Sequence, residues 1–130
     1  MDLPITIGLS TKLRGIRCVL AAREIHEGER IESCPLILIP AHQEGIVDKT
    51  IFGNYVYEWN KKYDCFVLGY CVMTNHSYTP NTLYKRDYRN KKMNYYAIRT
   101  IERGEELVVN YNGDPDEREP VDPEYTNFTL

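Results

Sequence analysis

The stretch from Leu68 to Asn81 reads LGYCVMTNHSYTPN, and its second half decides how the remainder of the chain is read. Asn75, His76, Ser77 and Asn81 all carry hydrogen-bonding side chains, and Pro80 locks φ among them. This composition predicts a tight polar loop of fixed geometry, of the kind that touches a ligand or another loop.

On either side of that loop the apolar residues alternate or cluster in short runs, a pattern that favours β structure over helix. Downstream, 83–87 and 93–98 read as a hairpin around Arg89-Asn90-Lys91, and 105–111 (EELVVNY) as the last strand. Upstream, YVYEWN (55–60) in strand conformation places Tyr55, Tyr57 and Trp59 on one face, with a turn at 61–64 into a second strand over 65–69. Arg17–Ala21 and 31–39 (IESCPLILI) are strand-like, separated by a turn at Glu27-Gly28-Glu29. Pro35 marks the second as an edge strand or one broken by a bulge. The polar stretch 41–50 reads as a loop or one helical turn.

A chain of 130 residues fits one domain. We read 1–113 as that domain and 114–130 as an acidic tail, since Asp114–Glu124 holds six acidic residues, three prolines and one arginine. The tail ends in Tyr125 and Phe128, which either dock back onto the domain or end a disordered terminus. With a net charge of −3, nothing global argues for direct nucleic-acid binding. The N-terminus lacks a leader pattern and the longest apolar run, 35–40, is too short to span a bilayer, so an intracellular, soluble protein is expected, with no membrane partner. The four cysteines lack the paired spacing that grips zinc; they read as buried free thiols, and no metal site is expected. Eleven tyrosines suit a channel that uses both ring and hydroxyl.

Three segments together resemble the SET domain, a family of lysine methyltransferases. Asn75-His76-Ser77 with Pro80-Asn81 matches its N-H-S-x-x-P-N motif, and Leu68-Gly69-Tyr70 resembles the lead-in of short stand-alone members. The stretch 97–113 (AIRTIERGEELVVNYNG) resembles the closing motif, with Asn110 in place of the usual aspartate. The stretch 12–21 (KLRGIRCVLA) corresponds to a G-x-G segment whose glycine positions fall here on Ile16 and Cys18, with Gly15 just ahead. The absence of a cysteine-rich zinc cluster after the domain is shared with small bacterial and viral members.

The resemblance implies a mainly β fold of the β-clip type, short strands in small sheets, with a C-terminal pseudoknot in which the last segment threads the Asn75 loop. It implies S-adenosyl-L-methionine as cofactor, held by Arg14, Gly15, Ile16, Arg17, Asn75, His76, Tyr111 and Phe128. Tyr111 is the implied catalytic residue. The implied substrate channel comprises Tyr55, Tyr57, Met73, Thr74 and Tyr125; Tyr55 and Tyr57 also fit two rings on a core face. The partner is then a protein with an exposed lysine, such as a basic or histone-like tail, and a homodimer stays open. The compartment is cytoplasmic in a bacterium, or nuclear if the protein acts on host chromatin. Two other readings remain: a SET-like module that binds a basic peptide without turnover, and a small β protein that assembles through its tyrosine-rich faces.

Overall fold

The computed structural model describes residues 2–13 and 15–121. Its strands form two small sheets. The first has the order β1 (Ile5–Leu9), β2 (Arg17–Ala21), β9 (Glu106–Val109), β6 (Asn75–His76). The second has the order β4 (Val56–Glu58), β5 (Tyr63–Val67), β3 (Arg30–Pro40), β8 (Lys92–Ala97), β7 (Thr82–Asp87). All pairings are antiparallel except that of β6 with β9, which is parallel. The last strand therefore lies between the second strand and the polar loop, with Asn75 opposite Val108 and His76 opposite Val109.

Alternation explains the strands. In β9 the run Leu107-Val108-Val109 is buried throughout, because this strand is covered on both faces. Val19, Ile25, Met93, Tyr95, Ile101, Leu107 and Val109 are fully buried in one core. The sheets are tied by a reciprocal bridge in which Ile25 and Ile101 exchange main-chain bonds of 2.8 Å each.

The 7–8 hairpin and the β-rich character appear as the sequence predicts. Other expectations need correction. Pro35 lies in neither an edge strand nor a bulge: β3 pairs with β8 through Arg30–Pro35 and with β5 through Leu36–Pro40, and its irregularity falls between Arg30 and Glu32. Pro35 sits where one partner hands over to the other, and its carbonyl still accepts from Leu68 at 2.9 Å. The strand expected over 55–60 is only Val56–Glu58. Ahead of it a 3-10 turn, Ile51–Asn54, is capped by the Thr50 side chain and leaves Tyr55 outside the strand. After it the chain turns back at once, with Trp59 and Asn60 both donating to the Tyr63 carbonyl. The stretch after Pro40 is a helix of seven residues, α1 (Ala41–Val47), rather than a loop or single turn. The polar loop opens with the two residues of β6, and β1 is an additional strand.

Candidate active site

A cavity of about 390 Å³ opens where the two sheets meet. One wall is the turn ahead of β2, Gly15 and Ile16, with Arg17 at the start of the strand. Gly15 has φ +78°, a left-handed conformation that favours glycine, and Ile16 next to it lines the cavity. The second wall is the 3-10 turn Tyr70–Met73 with Thr74 and Asn75, and the third is aromatic: Tyr55, Tyr57 and Tyr84, closed by Tyr111.

A buried carboxylate on β3 positions the second wall. Glu32 accepts from the main-chain N–H groups of Tyr70 at 3.1 Å and Cys71 at 2.9 Å, satisfying donors that the short turn leaves without partners. Thr74 ends that turn; its hydroxyl donates to the Cys71 carbonyl at 2.8 Å. Its own carbonyl accepts from the Tyr111 hydroxyl at 2.8 Å, which fixes the tyrosine tip at the cavity.

The two glutamates of Gly104-Glu105-Glu106-Leu107 each hold one asparagine of the polar loop. Glu106 accepts from Asn75 at 2.8 Å and from Ser10 at 2.6 Å, and Asn75 also donates to the Arg17 carbonyl at 3.3 Å. Ser10 in turn accepts from the N–H of Leu13 at 2.9 Å. The chain ahead of β2 is thus knitted to the polar loop through one carboxylate. Asn81, 1% exposed, donates to Glu105 at 3.0 Å and to the Glu106 carbonyl at 2.8 Å, and accepts from Val108 N–H at 2.9 Å and Thr82 at 3.0 Å. Its hydrogen bonds bind loop to last strand, and of the two loop asparagines only Asn75 lines the cavity.

His76 stands behind that wall. It is fully buried, and Nδ1 accepts the Tyr111 main-chain N–H at 2.9 Å. Its ring lies 4.5 Å from that of Tyr78, edge to face, and 5.1 Å from that of Tyr111. Burial pushes its pKa below the usual histidine range, so the ring is neutral and its proton sits on Nε2, which has no hydrogen-bond partner among the described residues.

The tyrosines share their hydroxyls. Tyr57 and Tyr95 are 2.7 Å apart oxygen to oxygen, Tyr84 packs edge-on against Tyr57 at 4.9 Å, and the Tyr84 hydroxyl donates weakly to the Tyr111 carbonyl at 3.4 Å. Burial lifts the Tyr57 and Tyr95 hydroxyls well above the ordinary tyrosine range, so they stay protonated. At the mouth, Arg86 donates to the Glu58 carbonyl at 2.6 Å and lies over the Tyr84 ring.

The SET domain family model matches residues 16–112, most of the chain. The chain belongs to the SET domain family. It is 32% identical over 96 residues to a Schizosaccharomyces pombe histone-lysine N-methyltransferase specific for lysine 37 of H3; the match takes in 73% of this chain and spans 65% of that relative's length. A crystal structure of a Plasmodium falciparum protein, a candidate histone methyltransferase, superposes with a TM-score of 0.69 and 28% identity over 85% of this chain and 95% of that one. A Polycomb Repressive Complex 2 from Chaetomium thermophilum, in a humanized mutant form bound to an inhibitor, gives the same TM-score over 85% of this chain and 15% of its own. At 24% identity that likeness concerns the fold alone.

In this SET domain Gly15, Ile16, Arg17, Tyr55, Tyr57, Met73, Thr74, Asn75 and Tyr111 all line one cavity. His76 supports it from behind. Arg14, Tyr125 and Phe128 lie outside the described residues. Cys18, at the second glycine position, is fully buried and does not line the cavity; burial, with nearby Glu106 a smaller cause, pushes its thiol up to about 11. Sequence reasoning missed Tyr84 and Arg86. Their alternation with Thr82 along β7 places all three on one face, a signal readable once the hairpin is assigned. Glu32 gave no local signal, because its partners are 38 and 39 residues away. Among the described residues no group of three or more His, Cys, Asp or Glu side chains is placed to hold a metal ion, and no helix is long and apolar enough to cross a membrane.

Proposed function

We propose that the protein is an S-adenosylmethionine-dependent protein-lysine N-methyltransferase. The observation that carries this reading is the Tyr111 hydroxyl, bonded to the Thr74 carbonyl in a cavity lined on one side by the Gly15 turn and Asn75 and on the other by tyrosines. The relatives named as histone-lysine methyltransferases support it, as does the threading of β9 between β2 and β6, which we take as the family's pseudoknot.

The residues present fit the cofactor. The cavity falls in the size range of small-molecule sites. Arg17 offers a cation for a carboxylate, Asn75 a polar edge, and the turn at Gly15 brings main chain to the wall. When bound, S-adenosylmethionine supplies the electrophile, a methyl group on a sulfonium whose leaving group is a neutral thioether.

The chain's own residues then have three tasks. A lysine with a pKa of about 10.4 is protonated at neutral pH, and a desolvated aromatic channel of Tyr55, Tyr57 and Tyr84 favours its neutral form. The Tyr111 hydroxyl, its proton committed to Thr74, accepts an N–H of that amine and turns the nitrogen lone pair toward the methyl group. Val72 and Met73 with the rings keep water from the reacting atoms. A basic, histone-like tail is the substrate class we propose, with nuclear action where the host has chromatin.

Calorimetry with S-adenosylmethionine and its demethylated product, followed by transfer of labelled methyl to histones and whole lysate, tests this. Binding with label on lysine is expected. No binding at millimolar cofactor overturns the reading, and binding without transfer leaves the peptide-binding module.

A further inference from the structure

Resting on that reading, we propose that Asn110 is a positioning residue for Tyr111, acting through a strap at 114–119 that clamps Tyr78 against His76. Asn110 is 2% exposed and immediately precedes Tyr111. Its side chain uses both ends: the amide donates to the Glu117 carbonyl at 2.7 Å, and the oxygen accepts the Asn112 N–H at 3.0 Å. Asn112 reaches the same strap, donating to the Glu119 carbonyl at 2.8 Å, and so does the Tyr78 hydroxyl, at 3.0 Å. Arg118 closes the circuit from the strap side by donating to the Tyr78 carbonyl at 3.0 Å.

Tyr78 is therefore held at its hydroxyl and at its main chain by one strap. Its ring is the edge-to-face neighbour of His76, and His76 holds the main-chain N–H of Tyr111. Asn110 thus reaches the main chain of Tyr111 by two routes, along the chain and around the strap.

The choice of asparagine follows from charge. The strap carries Asp114, Asp116, Glu117 and Glu119, and it meets Asn110 with a carbonyl oxygen. A carboxylate at this position has no proton to donate, faces that oxygen, and adds repulsion from the acidic run. The amide supplies the donor that an acidic strap needs. Gly113, at φ +94°, makes the turn that brings the strap back, and its N–H donates to the Asn110 carbonyl at 2.9 Å.

The test uses the full chain and two variants, Asn110→Asp and Arg118→Ala, the latter at an exposed side chain that cannot compromise the core. Nitrogen NMR of the imidazole and of the Tyr111 amide, in protein without substrate, reads the His76 Nδ1 contact directly. We expect both variants to weaken that signature while thermal melting stays cooperative, and Asn110→Asp to lower kcat about tenfold, with cofactor affinity within about twofold. In a double-mutant cycle with His76→Asn the losses should fall short of their sum. Spectra that superimpose on the native ones, or additive losses, overturn the proposal. If Asn110→Asp does not fold, unchanged His76 and Tyr111 signals in Arg118→Ala overturn it alone. A native protein that transfers no methyl group refutes the methyltransferase reading and leaves the NMR outcome to decide the strap.

Discussion

The main-chain N–H of Tyr111 donates to Nδ1 of His76 across 2.9 Å, so the last strand and the polar loop are joined through a neutral imidazole. Protonation would place a second N–H against the first. The bond therefore exists only while His76 is uncharged.

This predicts an acid-sensitive site. Burial lowers the folded pKa of His76 below the unfolded value of about 6.5, so the unfolded chain binds the proton more readily. The contribution is fully present above that value and is lost as pH falls toward the folded pKa. The carboxylates of Glu29, bonded by Arg23, and Asp87, bonded by Asn90, are held below the usual range, and their contribution disappears at lower pH still. Denaturant melts from pH 8 to 5 should show stability falling below about 6.5. His76→Asn, whose amide oxygen accepts the same bond without titrating, should flatten that limb. A native profile that is flat down to pH 5 would show that the histidine is charged or unlinked.

The Tyr111 hydroxyl is the next test, because its ring packs on His76 while its tip reaches Thr74. Tyr111→Phe keeps the ring and removes the group that turns the amine. Turnover should fall at least about tenfold, with cofactor affinity changed much less. Measured by calorimetry and single-turnover transfer, equal losses in both quantities would mean a structural role.

The polar loop was legible in the sequence because its chemistry is local: seven residues carry the asparagines, the histidine and the proline. The same holds for the 7–8 hairpin, whose alternation and turn lie in one stretch. What the sequence did not disclose depends on distant partners. Pro35 suggests an edge only until β3 is known to exchange one neighbour for another at that residue. Tyr55 reads as strand because nothing local reveals that the Thr50 cap starts a 3-10 turn just before it. Asn75 and Asn81 look equivalent in the motif. They separate once each has its own glutamate, Glu106 for the first and Glu105 for the second.

That separation is measurable. Asn81→Ala removes a buried side chain that serves two donors and two acceptors, so stability should drop by about 2–4 kcal/mol, read as a lower denaturation midpoint. At a temperature where the variant is folded, its cofactor affinity should match the native one. Asn75→Ala should instead weaken cofactor binding by about 1.5–3 kcal/mol, since this asparagine lines the cavity. If the two substitutions give the same pattern, the loop acts as one structural unit and Asn75 has no ligand role.

The C-terminal stretch allows the last separation. The strap up to Glu119 is bonded to Asn110, Asn112 and Tyr78, whereas Tyr125 and Phe128, the aromatic residues expected to close the cofactor pocket and the lysine channel, follow it. Ending the chain after Val121 keeps the strap and removes the nine residues, 122–130, that carry those rings. A buried aromatic ring is worth a few kcal/mol, and ordering a segment rich in Pro and acidic residues offsets much of that, so closure should be marginal without cofactor and firmer with it. The shortened protein should therefore melt close to the native one in the absence of cofactor, yet gain less stability when cofactor is added and turn over more slowly. Tyr125→Ala or Phe128→Ala should reproduce part of the loss. Full activity and full cofactor stabilisation in the shortened chain would assign the closing wall to Tyr55, Tyr57 and Tyr84 and leave the final residues outside the site.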